Sequence, residues 1–283
     1  MSGGASLAAR DRRDALLAAA PALLLVLLLF VLPLLQILWL SIAVPRLGLQ
    51  NYQMLVENQA VRNVIWTTTR LCVVTTALSL LGGYIVAYVL VHVGPRQRQV
   101  MFFFILVPFW LSVLARAFAW IALLRREGVV NSFLMAFGVI EQPLPLVFNE
   151  LGVVVGMTHY MLPYAILPLY ATMRDIDQQL IEAARSLGAS PLAAFRRVFL
   201  PMSAEGLLAA GTLVFVFSLG FYVTPTILGG GRTMMLAEYI GINVLDTVRW
   251  GLSAMLAAAL LATVLLLIGV TYRVVGGSRL IGP

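Results

Sequence analysis

The segment IEAARSLGASPLAAFRRVFLP (residues 181–201) is a compact charged stretch between two long apolar runs, residues 151–173 and 204–228. Gly188 divides it into two parts and can end a helix formed by the first part. Apolar positions recur at helical spacing in that first part, at Leu180, Ile181, Ala184 and Leu187. The pattern predicts two short helices joined by a glycine turn and held at both ends by long apolar helices.

Residue types that begin and end helices stand on both sides of this turn. Asp175 is a candidate N-cap for the first helix, and Asp177 is the alternative. Ser190 followed by Pro191 is typical of the start of a second helix. We expect the second helix to end at Pro201, where the next apolar run begins.

The composition of the whole chain is that of a membrane protein. Of its 283 residues 61% are hydrophobic and 11% are charged, with a mean hydropathy of +0.97, whereas soluble domains carry about 25% charged residues. Six apolar runs are long enough to cross a bilayer as helices. They are residues 15–44, 63–93, 100–124, 151–173, 204–228 and 252–272. The first run follows several arginines, as in a signal peptide, but it is too long for one and is expected to be retained.

We therefore predict an all-α integral membrane protein with six transmembrane helices. The transmembrane domain comprises residues 15–274 and includes a loop at about 175–201 between helices 4 and 5. Residues 1–14 form an N-terminal tail and residues 275–283 a C-terminal tail. We expect no soluble domain to be appended to this membrane domain.

The arginines predict the orientation of the chain. Every one of its 19 basic residues is arginine, and eleven lie on the side that holds both termini and the 175–201 loop. Six lie on the other side, and Arg70 and Arg116 fall within spans. Because cytoplasmic loops carry the excess of positive charge, both termini and the loop are expected to be cytoplasmic.

The residues that are missing exclude several kinds of chemistry. The chain has no lysine, so it lacks a phosphate-cradling loop and any Schiff-base nucleophile. Its single cysteine, Cys72, can form no internal disulfide and no multi-cysteine metal site. An intramembrane hydrolase is disfavoured because the chain has no HExxH motif and no aspartate pair within a span.

Three interpretations of the charged loop are open on physical grounds. It is a solvated surface connector, a DNA-binding helix-turn-helix, or a helix that docks into a groove of a soluble partner. The DNA-binding interpretation is disfavoured because both ends are tethered to membrane spans, so neither helix can readily reach a major groove.

The loop resembles a motif of inner-membrane permeases from binding-protein-dependent ABC importers. Their pattern is E-A-A, three residues, G, nine residues, then I-x-L-P. The matching positions here are Glu182, Ala183, Ala184, Gly188, Leu200 and Pro201. Val198 takes the place of the isoleucine, which is a conservative departure.

Three further stretches resemble the spermidine/putrescine permease branch of that family. They are PFWLSVLARAFAWIALLRREGVVN (108–131), HYMLPYAILPLYATMRDIDQQLIEAARSLGAS (159–190) and GFYVTPTILGGG (220–231). With the loop, the resemblance covers about residues 60–270. It implies the type I ABC importer permease fold, with the loop acting as a coupling helix seated in a cleft of a cytoplasmic ATPase.

The resemblance also implies partners, a location and a function. The chain would form half of a solute pathway together with a second, similar permease, as a heterodimer, in the bacterial inner membrane. Two ATPase subunits would bind ATP and Mg, so this chain would hold no cofactor and catalyse no reaction. An external solute-binding protein would deliver a polyamine-like or other small organic solute. No nucleic acid is implied. The residues expected to dock on the ATPase are Glu182, Ala183, Ala184, Arg185, Gly188, Ala189 and Pro201.

A second set of residues is predicted to line the pathway or a gate. This set is Arg116, Trp120, Tyr160, Tyr164, Tyr222 and Thr224. An alternative interpretation of Arg116 is that its side chain extends outward to the membrane surface. Pro163 and Pro168 are expected to bend the fourth span, and irregular backbone is expected near Gly229.

The charges within the spans leave the solute class open. A polyamine would be expected to meet acidic residues, but apart from Glu205 at the cytoplasmic end of the fifth span, the charged residues in these spans are arginines. Either the second permease supplies the acids, or the solute is anionic or zwitterionic. A self-sufficient channel or secondary carrier is the alternative function; it would need a selectivity ring or an intramembrane acid relay, and neither is visible.

Overall fold

The protein is built from helices, as expected for a chain that spans a bilayer. A computed structural model describes residues 19–279, and no strand occurs among them. The helices are α1 (Ala19–Ala43), α2 (Gln50–Glu57), α3 (Gln59–His92), α4 (Pro95–Trp110), α5 (Val113–Leu124), α6 (Val129–Ala136), α7 (Glu150–Arg174), α8 (Gln178–Ser186), α9 (Pro191–Met202), α10 (Ala204–Leu219), α11 (Val223–Gly229), α12 (Leu236–Leu245) and α13 (Trp250–Arg279). The all-α prediction is confirmed. The predicted tail 1–14 lies outside the described residues, whereas helix α13 continues into the predicted C-terminal tail as far as Arg279.

The number of membrane spans agrees with the six apolar runs. The single helices α1, α3, α7 and α13 are each long and apolar enough to cross a bilayer. Two further spans are bent pairs, namely α4 with α5–α6 and α9 with α10. The described residues thus contain four single spans, and six when each bent pair counts as one.

The third predicted span, residues 100–124, is broken rather than continuous. Helix α4 ends at Trp110, Ser112 has extended backbone (φ −55°, ψ 139°), and the following helices turn away by 103°. Pro108 lies just before the break. Proline lacks the N–H that would continue the helical bonding, and its ring crowds the preceding turn, which weakens the helix at this point.

The fifth predicted span, residues 204–228, is also interrupted. Helix α10 ends at Leu219, and α11 begins as a separate short helix at Val223. Pro225 lies in the first turn of α11, where its missing N–H has no helical partner to lose. The irregular backbone expected near Gly229 is confirmed, because Gly230 and Gly231 have positive φ values of 57° and 72°.

The described residues form two compact units. One contains residues 19–57 and 243–259. In it, the buried side chain of Asn51 donates hydrogen bonds to the carbonyl oxygens of Ser41 (2.9 Å) and Val44 (2.6 Å). These bonds connect α2 to the end of α1.

The other unit contains residues 58–242 and 260–279 and holds the candidate functional residues. Its centre is the packing of α3, α7 and α10. A Cβ atom on Gly83 of α3 would lie 2.8 Å from the Cβ of Ala165 on α7, so glycine permits this close approach. The buried side chains of one core cluster in this unit are Leu71, Cys72, Val153, Met157, Leu219, Leu228 and Met235.

Candidate functional site

The loop between α7 and α10, residues 175–203, is called the docking loop below. Its first helix, α8, is capped by Asp177, whose Oδ1 accepts a hydrogen bond from the Gln179 N–H (2.9 Å). The first N-cap candidate from the sequence, Asp175, was wrong, and the alternative candidate, Asp177, is confirmed. Asp175 still has helical backbone at the end of α7 (φ −85°, ψ −2°), whereas Asp177 has the extended backbone (ψ 115°) that an N-cap requires.

Helix α8 ends in a Schellman turn at Gly188. The N–H of Gly188 bonds to the Arg185 carbonyl (3.0 Å), and the N–H of Ala189 bonds to the Ala184 carbonyl (3.1 Å). Gly188 has φ +91°, and a Cβ atom built there would meet nothing within 4 Å. The backbone conformation, and not the available space, therefore demands glycine in the isolated chain.

Helix α9 begins as predicted and ends later than predicted. Ser190 Oγ accepts a hydrogen bond from the Ala193 N–H (3.2 Å), and Pro191 is the first helical residue. The helix then widens into a π-turn, in which the Leu200 N–H bonds to the Phe195 carbonyl, and it passes through Pro201 to Met202. A π-turn changes the register of the helical bonds, so the helix continues past a residue that has no N–H.

The docking loop is fixed to helix α3 by an aromatic anchor, a group that the sequence analysis missed. Its members are Tyr84, Tyr88 and His92 on α3, and Phe195 and Phe199 on α9. The ring of Phe199 lies 5.2 Å from that of Tyr88 in a T-shaped contact, and Phe199 is only 1% exposed. The Tyr84 hydroxyl also lies 2.8 Å from Ser203 Oγ. The i, i+4 spacing of these aromatic residues on both helices is the sequence signal that could have indicated the anchor.

The opposite side of the docking loop is open. Of the predicted docking residues, five are exposed and two, Ala184 and Ala189, are half-buried. Leu187, at the turn, is 90% exposed, and Leu180 is 46% exposed. The first six predicted residues lie on α8 and its turn, whereas Pro201 lies near the far end of α9. An open pocket of about 500 Å³ adjoins this surface, lined by Ser190, Leu192, Ala193, Arg196 and Arg197.

Four of the six predicted pathway residues come together in an aromatic cluster. Its members are Phe109, Arg116, Trp120, His159, Tyr160, Tyr164, Phe217 and Phe221. The guanidinium carbon of Arg116 lies 4.2 Å from the ring centre of Tyr160. The rings of Tyr160 and Tyr164 are stacked 6.0 Å apart, and Trp120 donates a hydrogen bond to His159 Nδ1 (3.3 Å).

The fold builds this cluster from four elements. Arg116 and Trp120 lie on α5, just after the break, and Tyr160 and Tyr164 lie one turn apart on α7. Phe109 belongs to α4, and Phe217 belongs to α10. The sequence analysis missed Phe109, His159, Phe217 and Phe221, although the last two have the same spacing of four residues around the end of α10.

The remaining two predicted pathway residues lie elsewhere. Tyr222 packs its ring against Gly241 of α12, where a Cβ atom would lie 3.2 Å from Tyr222 Cε2. Thr224 is buried, and its methyl group lies 2.9 Å from the Cβ position of Gly156. Thr224 therefore has a packing role between α11 and α7.

A buried acid in the loop between α10 and α13 was also missed. Glu238 is 5% exposed and lies beside the Met235 backbone and the Thr226 side chain, and its Oε2 has no hydrogen-bond partner. Burial raises the pKa of Glu238, and the neighbouring Met235 backbone and Thr226 side chain partly oppose this change. The Met235 contact is that of a capping box at the start of α12. A single acid within the apolar sequence MMLAEYIGI was the available signal.

The chain is similar in sequence to permease proteins of spermidine/putrescine transport systems. The chain is 30% identical over 225 residues to the spermidine/putrescine transport system permease protein PotB of Haemophilus influenzae, which covers 80% of this chain and 78% of the relative. It is 29% identical over 233 residues to PotB of Escherichia coli (strain K12), with 82% and 83% covered.

The fold is similar to that of a solved importer. A chain of a bacterial alginate ABC transporter, in complex with alginate pentasaccharide-bound periplasmic protein, matches with a TM-score of 0.73. The match covers 93% of this chain and 94% of that chain at 16% identity, so it concerns the fold.

The family itself is shown by the sequence. A sequence model of the binding-protein-dependent transport system inner membrane components matches residues 79–276. The matched region includes the docking loop, the whole aromatic cluster and the whole aromatic anchor. The chain therefore belongs to the family of binding-protein-dependent transport system inner membrane components.

Proposed function

We propose that this ABC importer permease subunit forms half of a solute pathway and receives the movement of a cytoplasmic ATPase through the docking loop. The observation that carries the proposal is the two-sided construction of this loop. One side exposes apolar and charged residues around Gly188, and the other side is held by the aromatic anchor. Exposed leucines on a short helix suit a groove in a soluble partner.

The anchor suggests how movement reaches the membrane. A force on α8 acts through the Schellman turn on α9, whose Phe199 is packed against Tyr88 of α3. Helix α3 also packs along α7, which carries Tyr160 and Tyr164. Movement of the docking loop is thereby passed to the aromatic cluster, since close-packed helices transmit displacement with little compression.

The partners and the solute belong to the same proposal. The second permease, two ATPase subunits with their ATP and Mg, and an external binding protein complete the importer. We assign a polyamine-like solute because the PotB relatives are named for spermidine and putrescine. The aromatic cluster fits such a solute, because aromatic faces attract ammonium groups. Catalysis is assigned to the ATPase subunits.

The first test is reconstitution of the chain with and without its partners. Alone in proteoliposomes, the chain should neither hydrolyse ATP nor take up spermidine. Together with the second permease, the ATPase and the binding protein, it should show ATP-driven uptake. Uptake by the chain alone would instead support a self-sufficient channel or carrier, and failure of the ATPase to co-purify would contradict the docking proposal.

The second test concerns orientation, which we propose to be cytoplasmic for the docking loop and both termini. Cys72 is the only native cysteine and is buried, so Ser190→Cys introduces a single accessible thiol at an exposed position. It should resist an impermeant thiol reagent in intact spheroplasts and react after lysis. The wild-type chain is the control and should remain unlabelled. Labelling of Ser190→Cys from outside would reverse the orientation.

A further inference from the structure

Arg116 is a charge without a counter-charge inside an aromatic environment. Its guanidinium carbon lies 4.2 Å from the centre of the Tyr160 ring. Its Nε is buried and has no hydrogen-bond partner, and no carboxylate lies within ion-pair distance of its side chain among residues 19–279. The other arginine within a span, Arg70, is paired with Glu150. Among residues 19–279, the cation–π contact with Tyr160 is the stabilising contact that the structure shows for the Arg116 charge.

The surroundings of Arg116 have the composition of a cation-binding site. Tyr160 is stacked on Tyr164 and is in edge contact with Phe221 (4.8 Å between ring centres). Tyr and Phe rings present a negative face that binds alkylammonium and guanidinium groups alike. Here the guanidinium of the chain itself takes the face of Tyr160. Phe217 is also 43% exposed, so the cluster is open on one side to a second molecule.

We propose that Arg116 is a displaceable internal ligand of the aromatic cluster. It occupies the face of Tyr160 while no solute is present, and the ammonium group of a cationic solute takes this place during transport. The inference rests on the proposed function, from which it takes the polyamine-like solute. It assigns Arg116 the role of a gate that opposes the entry of free cations.

Electrostatics explains why the two cations exclude each other. Two positive charges a few ångströms apart in a partly buried site repel each other more strongly than one aromatic face attracts either of them. A solute cation can therefore bind at Tyr160 only when Arg116 moves away. Arginine suits this exchange because its long side chain has several rotatable bonds and keeps its charge at any physiological pH.

The test uses the complete transporter in proteoliposomes and measures spermidine leak without ATP, together with ATP-driven uptake. Arg116→Gln removes the charge and leaves the Tyr160 face free, so we expect the leak to rise about tenfold or more. Arg116→Lys keeps a cation and should show a leak near that of the wild type. Arg70→Gln is the matched control, because it removes an arginine that has a carboxylate partner, and it should not raise the leak.

Two other results would overturn the inference. Normal uptake without a rise in leak would show that Arg116 only packs against Tyr160. Loss of ATP-driven spermidine uptake without a rise in leak would show that transport needs the Arg116 charge for something other than gating. If Arg116→Gln does not insert, Tyr160→Leu replaces it as the test; this variant should raise the KM for spermidine without leak, and an unchanged KM would contradict the inference.

The same measurements separate this inference from the proposed function. Absence of ATP-driven spermidine uptake in the wild-type complex would contradict the proposed polyamine-like solute and, with it, the role of Arg116. Wild-type uptake combined with an unchanged leak in Arg116→Gln would contradict the role of Arg116 alone.

Discussion

Gly188→Val is expected to abolish ATP-driven solute uptake while the chain still inserts into the membrane. Gly188 has φ +91°, a conformation that β-branched residues strongly disfavour, so valine adds about 1–3 kcal/mol of backbone strain. No atom lies within 4 Å of the Cβ position, so the substitution creates no clash within the chain. The strain is relieved by opening the Schellman turn, which changes the angle between α8 and α9. Insertion, ATPase co-purification and uptake are the measurements.

Gly188→Asn is the matched control for this substitution. Asparagine tolerates positive φ better than other residues that carry a side chain, so it should keep the turn and much of the transport. A second variant, Glu182→Arg, reverses a charge on the exposed side of α8, where Glu182 has no ion-pair partner among the described residues. It should also lose uptake, and a compensating acid on the ATPase should restore it. Wild-type uptake in both Gly188→Val and Glu182→Arg would make the docking loop a simple surface connector.

Phe199→Ala is expected to separate ATP hydrolysis from transport. Phe199 is 1% exposed and joins the docking loop to α3 through Tyr88, so its truncation should cost about 3–5 kcal/mol of local packing. The exposed side of α8 is unchanged by the substitution, so the ATPase should still co-purify. We expect hydrolysis to continue while uptake falls, because movement of the docking loop no longer reaches α3.

The matched control is Phe104→Ala on α4, since Phe104 is 68% exposed and makes no contact with the aromatic anchor. It should leave uptake and its coupling to hydrolysis near the wild-type values. Equal uptake per ATP in Phe199→Ala and in the wild type would show that the aromatic anchor holds the loop in place without transmitting movement.

Local signals in the sequence were sufficient for the helix–glycine–helix pattern of the docking loop. Capping by Asp177, the stop at Gly188 and the start at Ser190 depend on hydrogen bonds between residues at most five positions apart. Such short-range bonds form in the same way in most tertiary contexts, so their sequence signals are reliable. The bilayer imposes a similarly local rule, because each apolar run must satisfy its own backbone as a helix.

The breaks within the spans could not be predicted in the same way. Pro108 lies just before the end of α4, yet Pro163 and Pro168 lie inside α7, which continues unbroken to Arg174. The residue type is the same in all three places, and each proline removes one backbone donor. Whether the helix continues depends on the packing of neighbouring helices around the freed carbonyl, and hydropathy carries no information about that packing.

The sequence by itself determined the membrane class, the six apolar runs and the helix–glycine–helix loop, because each of these depends on composition or on neighbours along the chain. Only the tertiary structure placed Arg116 over Tyr160, joined Phe199 to Tyr88, and buried Glu238 next to Thr226. These pairs are on different helices, and their distances are set by how the helices cross and where they break. Spacing of four residues indicates that two side chains share a helix face, but only the packed structure decides which other face they meet.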